Sequence, residues 1–174
     1  NSNAGKLSYG EWLEIPNEKF SVIHNGIDFD DMGKNTNDKE VSNILSEKGI
    51  SDQNVIIGSV YRLVQEKRPY LWIDSVSKVI KQDENVHAIL IGGGGMAEQI
   101  SEYITQKNLQ HKIHLIGQTR YVKSWLDRFD VFLLTSIVEG LPNVLIEAQA
   151  FGVPVITTNA GGASDTIIDG ETGY

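Results

Sequence analysis

Apolar residues along this chain fall into two alternating kinds of segment. Short apolar runs at 55–57, 86–91, 113–116, 131–134 and 154–157 read as strands. The stretches between them, 69–82, 96–107, 121–128 and 142–151, carry their apolar residues at helical spacing. Strand and helix in strict alternation predict parallel pairing with right-handed crossovers. The expected fold is therefore α/β, a doubly wound parallel sheet with helices on both faces. Ligands of such sheets bind beyond the carboxyl ends of the strands, which makes 58–68, 92–95, 117–120, 135–142 and 158–163 the candidate loops.

Ahead of this regular series the pattern is looser. Leu7, Trp12 and Leu13 among polar neighbours predict a short amphipathic helix over 4–14 that ends near Pro16. Phe20 to His24 reads as a short strand, Asn25-Gly-Ile-Asp28 as a turn, 30–39 as a polar loop and 39–48 as a brief helix. Residues 1–40 are expected to be an entering segment and linker, and 41–174 the folded domain. The final Asp-Gly-Glu-Thr-Gly before Tyr174 reads as a turn that leads into a further strand, so the sequence is expected to be a piece of a longer protein.

Composition narrows the function classes. The 174 residues are 40% hydrophobic, enough for one domain with a real core, and no run approaches the length of a membrane span. A net charge of −8 repels nucleic acid and anionic lipid as a whole, so any basic footprint must be local. One such cluster is present: Arg62, Lys67 and Arg68 fall in a strand-to-helix loop, either as a solvated surface or as an anion site. The chain has no cysteine, which removes disulfides and thiolate metal sites and agrees with a cytoplasmic setting.

The strongest chemical signal is a pair of glutamates. Glu139 opens and Glu147 closes the stretch Glu-Gly-Leu-Pro-Asn-Val-Leu-Ile-Glu, with Pro142 suited to the first helical position. Glu147 stands among Val144, Leu145, Ile146, Ala148, Ala150 and Phe151. A carboxylate there costs several kcal/mol unless donors reach it, from neighbouring protein groups or from ligand hydroxyls. Gly92 to Gly95 after a strand, and Gly161-Gly162 before a short helix at 163–168, are turns that either let a ligand approach the backbone or simply bend the chain. The glycine run fits a dinucleotide fingerprint only loosely, because Lys112 and His114 stand where an acidic residue belongs. There is no phosphate-binding Gly-x-x-x-x-Gly-Lys loop and no Gly-x-Ser-x-Gly elbow. His24, His87, His111 and His114 lack metal spacing, and His87 and His114 are expected to be packing or surface residues.

In order, these pieces resemble the Rossmann-like C-terminal domain of GT-B glycosyltransferases, in particular the retaining group called family 4. The matching text is Val22-Ile-His-Asn-Gly-Ile-Asp28, Gly58-Ser-Val-Tyr-Arg-Leu63 with Glu66-Lys67, Leu90-Ile-Gly-Gly-Gly94 and Ile113-His-Leu-Ile-Gly117. It continues through the E-x7-E motif from Glu139 to Glu147, then Phe151 to Ile156, Gly161-Gly162 and Asp169 to Gly173. The resemblance implies a nucleotide-diphosphate sugar as donor, no metal and no further cofactor. It implies catalytic roles for Glu139, Arg62 and Lys67: the two cations grip the diphosphate and Glu139 lies near the donor sugar. Donor contacts are implied for Gly58, Arg62, Lys67, Gly93, Glu139, Gly140, Leu141, Asn143, Val144 and Glu147, the last as anchor of the ribose hydroxyls.

The implied partners are the nucleotide sugar and, through an N-terminal acceptor domain absent from this sequence, an acceptor saccharide or glycolipid. The setting would be bacterial polysaccharide or glycolipid assembly, with room for peripheral association at the inner membrane face, and the fragment alone is expected to bind donor without transferring sugar. Alternative readings are a GT-B-like sugar-nucleotide epimerase or phosphorylase, or a non-catalytic nucleotide-binding module. Three departures from the family pattern stand out. Pro142 and Tyr61 replace glycine, with Tyr61 expected to narrow the phosphate loop or stack on a base, and Asp165, a shorter carboxylate in place of glutamate, is expected to be structural.

Overall fold

A computed structural model describes residues 1–28 and 36–174. Eleven regular elements follow the chain: α1 (Asn3–Leu13), α2 (Asp38–Glu47), β1 (Val55–Val60), α3 (Pro69–Gln82), β2 (Val86–Ile91), α4 (Ala97–Gln106), β3 (Ile113–Gly117), α5 (Val122–Leu126), β4 (Val131–Leu134), α6 (Asn143–Ala150) and β5 (Val155–Thr157). All pairings among the five strands are parallel, in the order β3-β2-β1-β4-β5. The doubly wound α/β arrangement is thus the one the alternation predicts. Every position of β2 is buried, as a central strand covered on both faces requires.

Strand order reverses at β1. The chain runs outward from β1 through β2 to β3, then returns to the other side of β1 as β4 and β5. In sheets of this kind the ligand crevice lies at such a reversal, here beyond the carboxyl ends of β1 and β4. The core beneath is built from Trp72, Ile73 and Val76 of α3, Ile89 and Leu90 of β2, and Phe132 and Leu134 of β4, all almost fully buried. Gly58 lies in the middle of β1, where an added Cβ would fall 2.1 Å from the Phe129 ring. Packing explains this glycine, and its backbone belongs to the sheet ladder.

The segment before the domain departs from expectation in two ways. No strand forms at 20–24: residues 21–27 make no backbone–backbone hydrogen bond among the described residues, and a strand requires a paired edge. Helix α1 does form, but Leu7, Trp12 and Leu13 are exposed rather than packed, and the helix docks by its N-terminus. There Ser2 caps α1, accepting from the Gly5 amide at 3.1 Å, and Asp165 accepts from the Asn3 amide at 2.6 Å. Asp165 therefore has a structural role. Of the polar loop expected at 30–39, residues 30–35 lie outside the described residues.

His87 and His114 form a buried stack between β2 and β3. Their rings are 11° from parallel, and Nδ1 of His87 lies 3.2 Å from Nε2 of His114. Lys112 Nζ sits 3.3 Å from the other nitrogen of His87. Burial first, then the charges of Lys48, His87, His111 and Lys112, hold His114 down to about 4. The pair is a packing feature, at the end of the sheet opposite the crevice.

Candidate functional site

Two loops meet at the crevice. The loop after β1 continues past Val60 in nearly extended form, with the Tyr61 amide bonded to Ile91 O and the Leu63 amide to Gly93 O, both at 3.0 Å. It then turns through a short 3-10 segment, Gln65–Lys67, and passes into α3 at Arg68, whose φ of 48° is left-handed. Arg68 holds this unusual conformation by reaching across to the loop after β4: Nε donates to Thr135 O at 2.5 Å and Nη2 to Ser136 O at 3.0 Å. Thr135 Oγ1 donates back to Lys67 O at 3.0 Å, and the Ile137 amide to Glu66 O at 2.8 Å.

This stitching brings Lys67 and Glu139 together across 72 positions of sequence, as an ion pair between Nζ and Oε1. Ser136 Oγ donates to the same carboxylate oxygen at 2.5 Å. Arg62, in contrast, is exposed, and its guanidinium makes no hydrogen bond or ion pair with any described residue. The three cations of the loop have three fates: Arg68 is bound to backbone carbonyls, Lys67 is shared with Glu139, and Arg62 is unspent.

Helix α6 begins at Asn143, one position later than expected. Pro142 caps it from an extended conformation with ψ of 98°, because the chain has to turn before helical geometry begins. The amides of Gly140, Leu141, Asn143 and Val144 find no acceptor among the described residues, which leaves a set of donors at a helix start. One turn on, Glu147 lies on the same side of the helix as Asn143. It is half-buried, and its carboxylate accepts no hydrogen bond from any described residue. Burial pushes its carboxyl up from the ordinary value, and the nearby Lys123 charge opposes this only in part. Among the described residues no hydrogen-bond donor reaches this carboxylate.

A family model for glycosyl transferases group 1 matches residues 40–174. The chain belongs to this family. Over its full length it is 33% identical to the Vi polysaccharide biosynthesis protein VipC/TviE of Salmonella typhi, of which it covers 30%. A glycosyltransferase structure from Rickettsia africae superposes with a TM-score of 0.86 at 25% identity, over 99% of this chain and 47% of that one. The Anabaena protein Alr3699/HepE in complex with UDP superposes with a TM-score of 0.84 at 26% identity, over 100% of this chain and 48% of that one. This group 1 glycosyl transferase chain thus spans about a third of the length of that curated relative and about half of those solved chains.

Within the group 1 domain the glycine turns have steric reasons. A Cβ on Gly92, at φ 137°, would fall 1.9 Å from Tyr61 O, and one on Gly94 2.5 Å from Leu63 O. The run lets the loop after β1 lie directly against it, and Gly93 contributes its carbonyl to that seam. Gly161 and Gly162 similarly admit the Glu139 and Gly140 carbonyls, which would lie 2.3 and 1.7 Å from added Cβ atoms. The Gly162 amide is bonded to Glu139 O at 3.1 Å, so it is not available to an anion. Tyr61 is also corrected: its ring is buried in the core, its hydroxyl lacks a partner, and burial pushes the phenol well up, so it neither lines a phosphate loop nor stacks on a base.

Three contacts of the site are not foreseen in the sequence. Ser136 holds the Glu139 carboxylate, Arg68 ties the two loops together, and Asn25 donates from Nδ2 to Asn143 Oδ1 at 2.6 Å. A signal existed only for Ser136, three positions before Glu139 in one loop; the other two contacts join distant segments. Among the described residues no group of three acidic, histidine or cysteine side chains is arranged as a metal site, and no helix is long and apolar enough to cross a membrane.

Proposed function

We propose that this chain is the donor-binding half of a retaining, family 4 glycosyltransferase with a UDP-sugar as donor, acting in bacterial polysaccharide or glycolipid assembly. What supports the reading most is a pair of needs unmet among the described residues, one on the loop after β1 and one on α6: Arg62, a cation without an anion, and Glu147, a half-buried carboxylate without a hydrogen-bond donor. A nucleoside diphosphate satisfies both. Ribose hydroxyls donate to Glu147, and the diphosphate accepts from Arg62, from Lys67 and from the free amides at the start of α6. The uridine assignment draws on the HepE structures, solved with UDP and with UDP-glucose.

The chemistry follows from where charge develops. As the glycosidic bond to the β-phosphate breaks, negative charge builds on the leaving diphosphate and positive charge on the anomeric carbon. Arg62, Lys67 and the amides of Gly140, Leu141, Asn143 and Val144 stabilise the first. Glu139, held by Ser136, orients sugar hydroxyls and favours the second. In this reading the acceptor saccharide or glycolipid is bound outside this chain, which spans only part of its relatives' length, so the chain alone binds donor without transferring sugar. A cytoplasmic location, with peripheral contact at the inner membrane face, belongs to the same reading.

Calorimetry with UDP, GDP, ADP and UDP-glucose in EDTA tests it. UDP and UDP-glucose should bind, and Arg62→Ala or Glu147→Ala should each weaken them at least about tenfold, since each removes a charge-assisted contact worth over ~1.4 kcal/mol. No binding, or binding indifferent to both substitutions, overturns the proposal; binding of GDP or ADP alone overturns the base assignment.

A further inference from the structure

The segment 21–27 lies against the domain without a backbone–backbone hydrogen bond among the described residues, yet one of its side chains reaches the start of α6. Asn25 Nδ2 donates to Asn143 Oδ1 at 2.6 Å, and Asn25 Oδ1 accepts from Asn1 Nδ2 at 3.3 Å. The three amides therefore point the same way. With its oxygen engaged, Asn143 is left with Nδ2 and both its protons free of any described partner, beside the unpaired amides of Gly140, Leu141 and Val144.

We propose that Asn25 is a positioning residue for the donor site, fixing which end of the Asn143 side-chain amide is offered to the ligand. An asparagine amide is nearly symmetric in shape but opposite in function at its two ends. Phosphate and sugar oxygens need a donor. If Asn143 were reversed, it would present a carbonyl oxygen among a set of N–H donors and repel the same ligand. Nothing else among the described residues decides the matter, because Asn143 is exposed and Asn25 is its one described side-chain partner. The nearby loop also lies close to Asn1, the other partner of Asn25: a Cβ on Gly140 would lie 3.1 Å from Asn1 Oδ1. The proposal rests on the donor-site reading above, and extends it to a residue 118 positions away from the helix it serves.

The test uses 15N-labelled protein and UDP-glucose. In Asn25→Asp the carboxylate has no proton to give at neutral pH and can only accept, so Asn143 turns its NH2 group toward it. The Asn143 side-chain cross-peaks of the free protein should then move to hydrogen-bonded positions, and UDP-glucose affinity should fall about five- to tenfold. Asn25→Gln retains a donor and should stay within about twofold of wild type. Its rescue separates orientation from simple loss of a surface contact. The proposal is overturned if the Asn143 cross-peaks of free Asn25→Asp match wild type, if affinity is unchanged, or if Asn25→Gln loses as much as Asn25→Asp. A wild-type protein that binds no UDP-glucose overturns the donor reading and this role with it, while the free-state spectra still report the amide orientation.

Discussion

Lys67→Met isolates the ion pair at the centre of the site. The Glu139 side chain is 10% exposed and that of Lys67 21%, so removing the ammonium leaves a largely desolvated carboxylate with Ser136 as its remaining side-chain donor. Deleting one partner of a fully buried pair costs about 3–5 kcal/mol; the residual exposure and the serine hydroxyl reduce that here to about 2 kcal/mol. For a domain of this size about 2 kcal/mol corresponds to a melting temperature lower by about 4–8 °C. Glu139→Gln added to Lys67→Met should recover at least half of the loss, because a neutral amide is less costly to bury than an unpaired charge. Thermal melts of the two single variants and the double variant, without ligand, give the coupling directly. A Lys67→Met protein that melts within about a degree of wild type, or a double variant no more stable than Lys67→Met, refutes the reasoning.

The same pair makes a second reading possible with ligand present. Bound UDP competes with Glu139 for Lys67, so Glu139→Gln should leave UDP affinity unchanged or improved while abolishing any advantage of UDP-glucose over UDP. Equal weakening of both ligands would show that the carboxylate does not face the sugar.

Two predictions concern titration. Glu147 has its carboxyl pushed above the ordinary value of 4.5, so its ionisation weakens the free fold: the penalty is absent below about pH 4.5 and complete once pH exceeds the raised value. Glu147→Gln should therefore melt higher than wild type at neutral pH without ligand, with the difference vanishing as pH falls through 4.5 in a pH series of thermal melts. His114 has the opposite sign: held down to about 4 in the folded chain against an ordinary 6.5, it should cost the wild type stability as pH falls between those values, and His114→Asn should remove that part of the slope in denaturant titrations.

The regular half of the fold is legible because its signals are local. Period and run length place β2, β4 and α3 at 86–91, 131–134 and 69–82, the same bounds the structure shows, and their alternation fixes the parallel sheet. The failures share a cause: each depends on what lies across a gap in sequence. The alternating Phe20 and Val22 look strand-like, but a strand needs an edge to pair with and residues 21–27 pair with none among the described residues. Tyr61 follows the last residue of β1 and was assigned to a ligand loop; the chain stays extended there, bonded to Ile91, so the ring turns into the core. Glycine pairs announce a close approach without saying by what, and at Gly161-Gly162 the visitor is the backbone of Glu139 and Gly140 rather than a ligand.

The opposite holds for Glu147, where a misfit visible in sequence remains a misfit in the folded chain. A carboxylate placed for stability would have acquired donors, as Glu139 has from Lys67 and Ser136 and Asp165 has from the Asn3 amide. Glu147 has none among the described residues, and its neighbour Lys123 only partly offsets the cost of burial. Arg62 is the matching case among the cations, since Arg68 is satisfied by carbonyls and Lys67 by Glu139. On the donor reading this division sets an order of events. The unspent Arg62 meets the diphosphate first, Lys67 then exchanges its carboxylate for phosphate, and Glu139 is released only when a donor is in place to receive it.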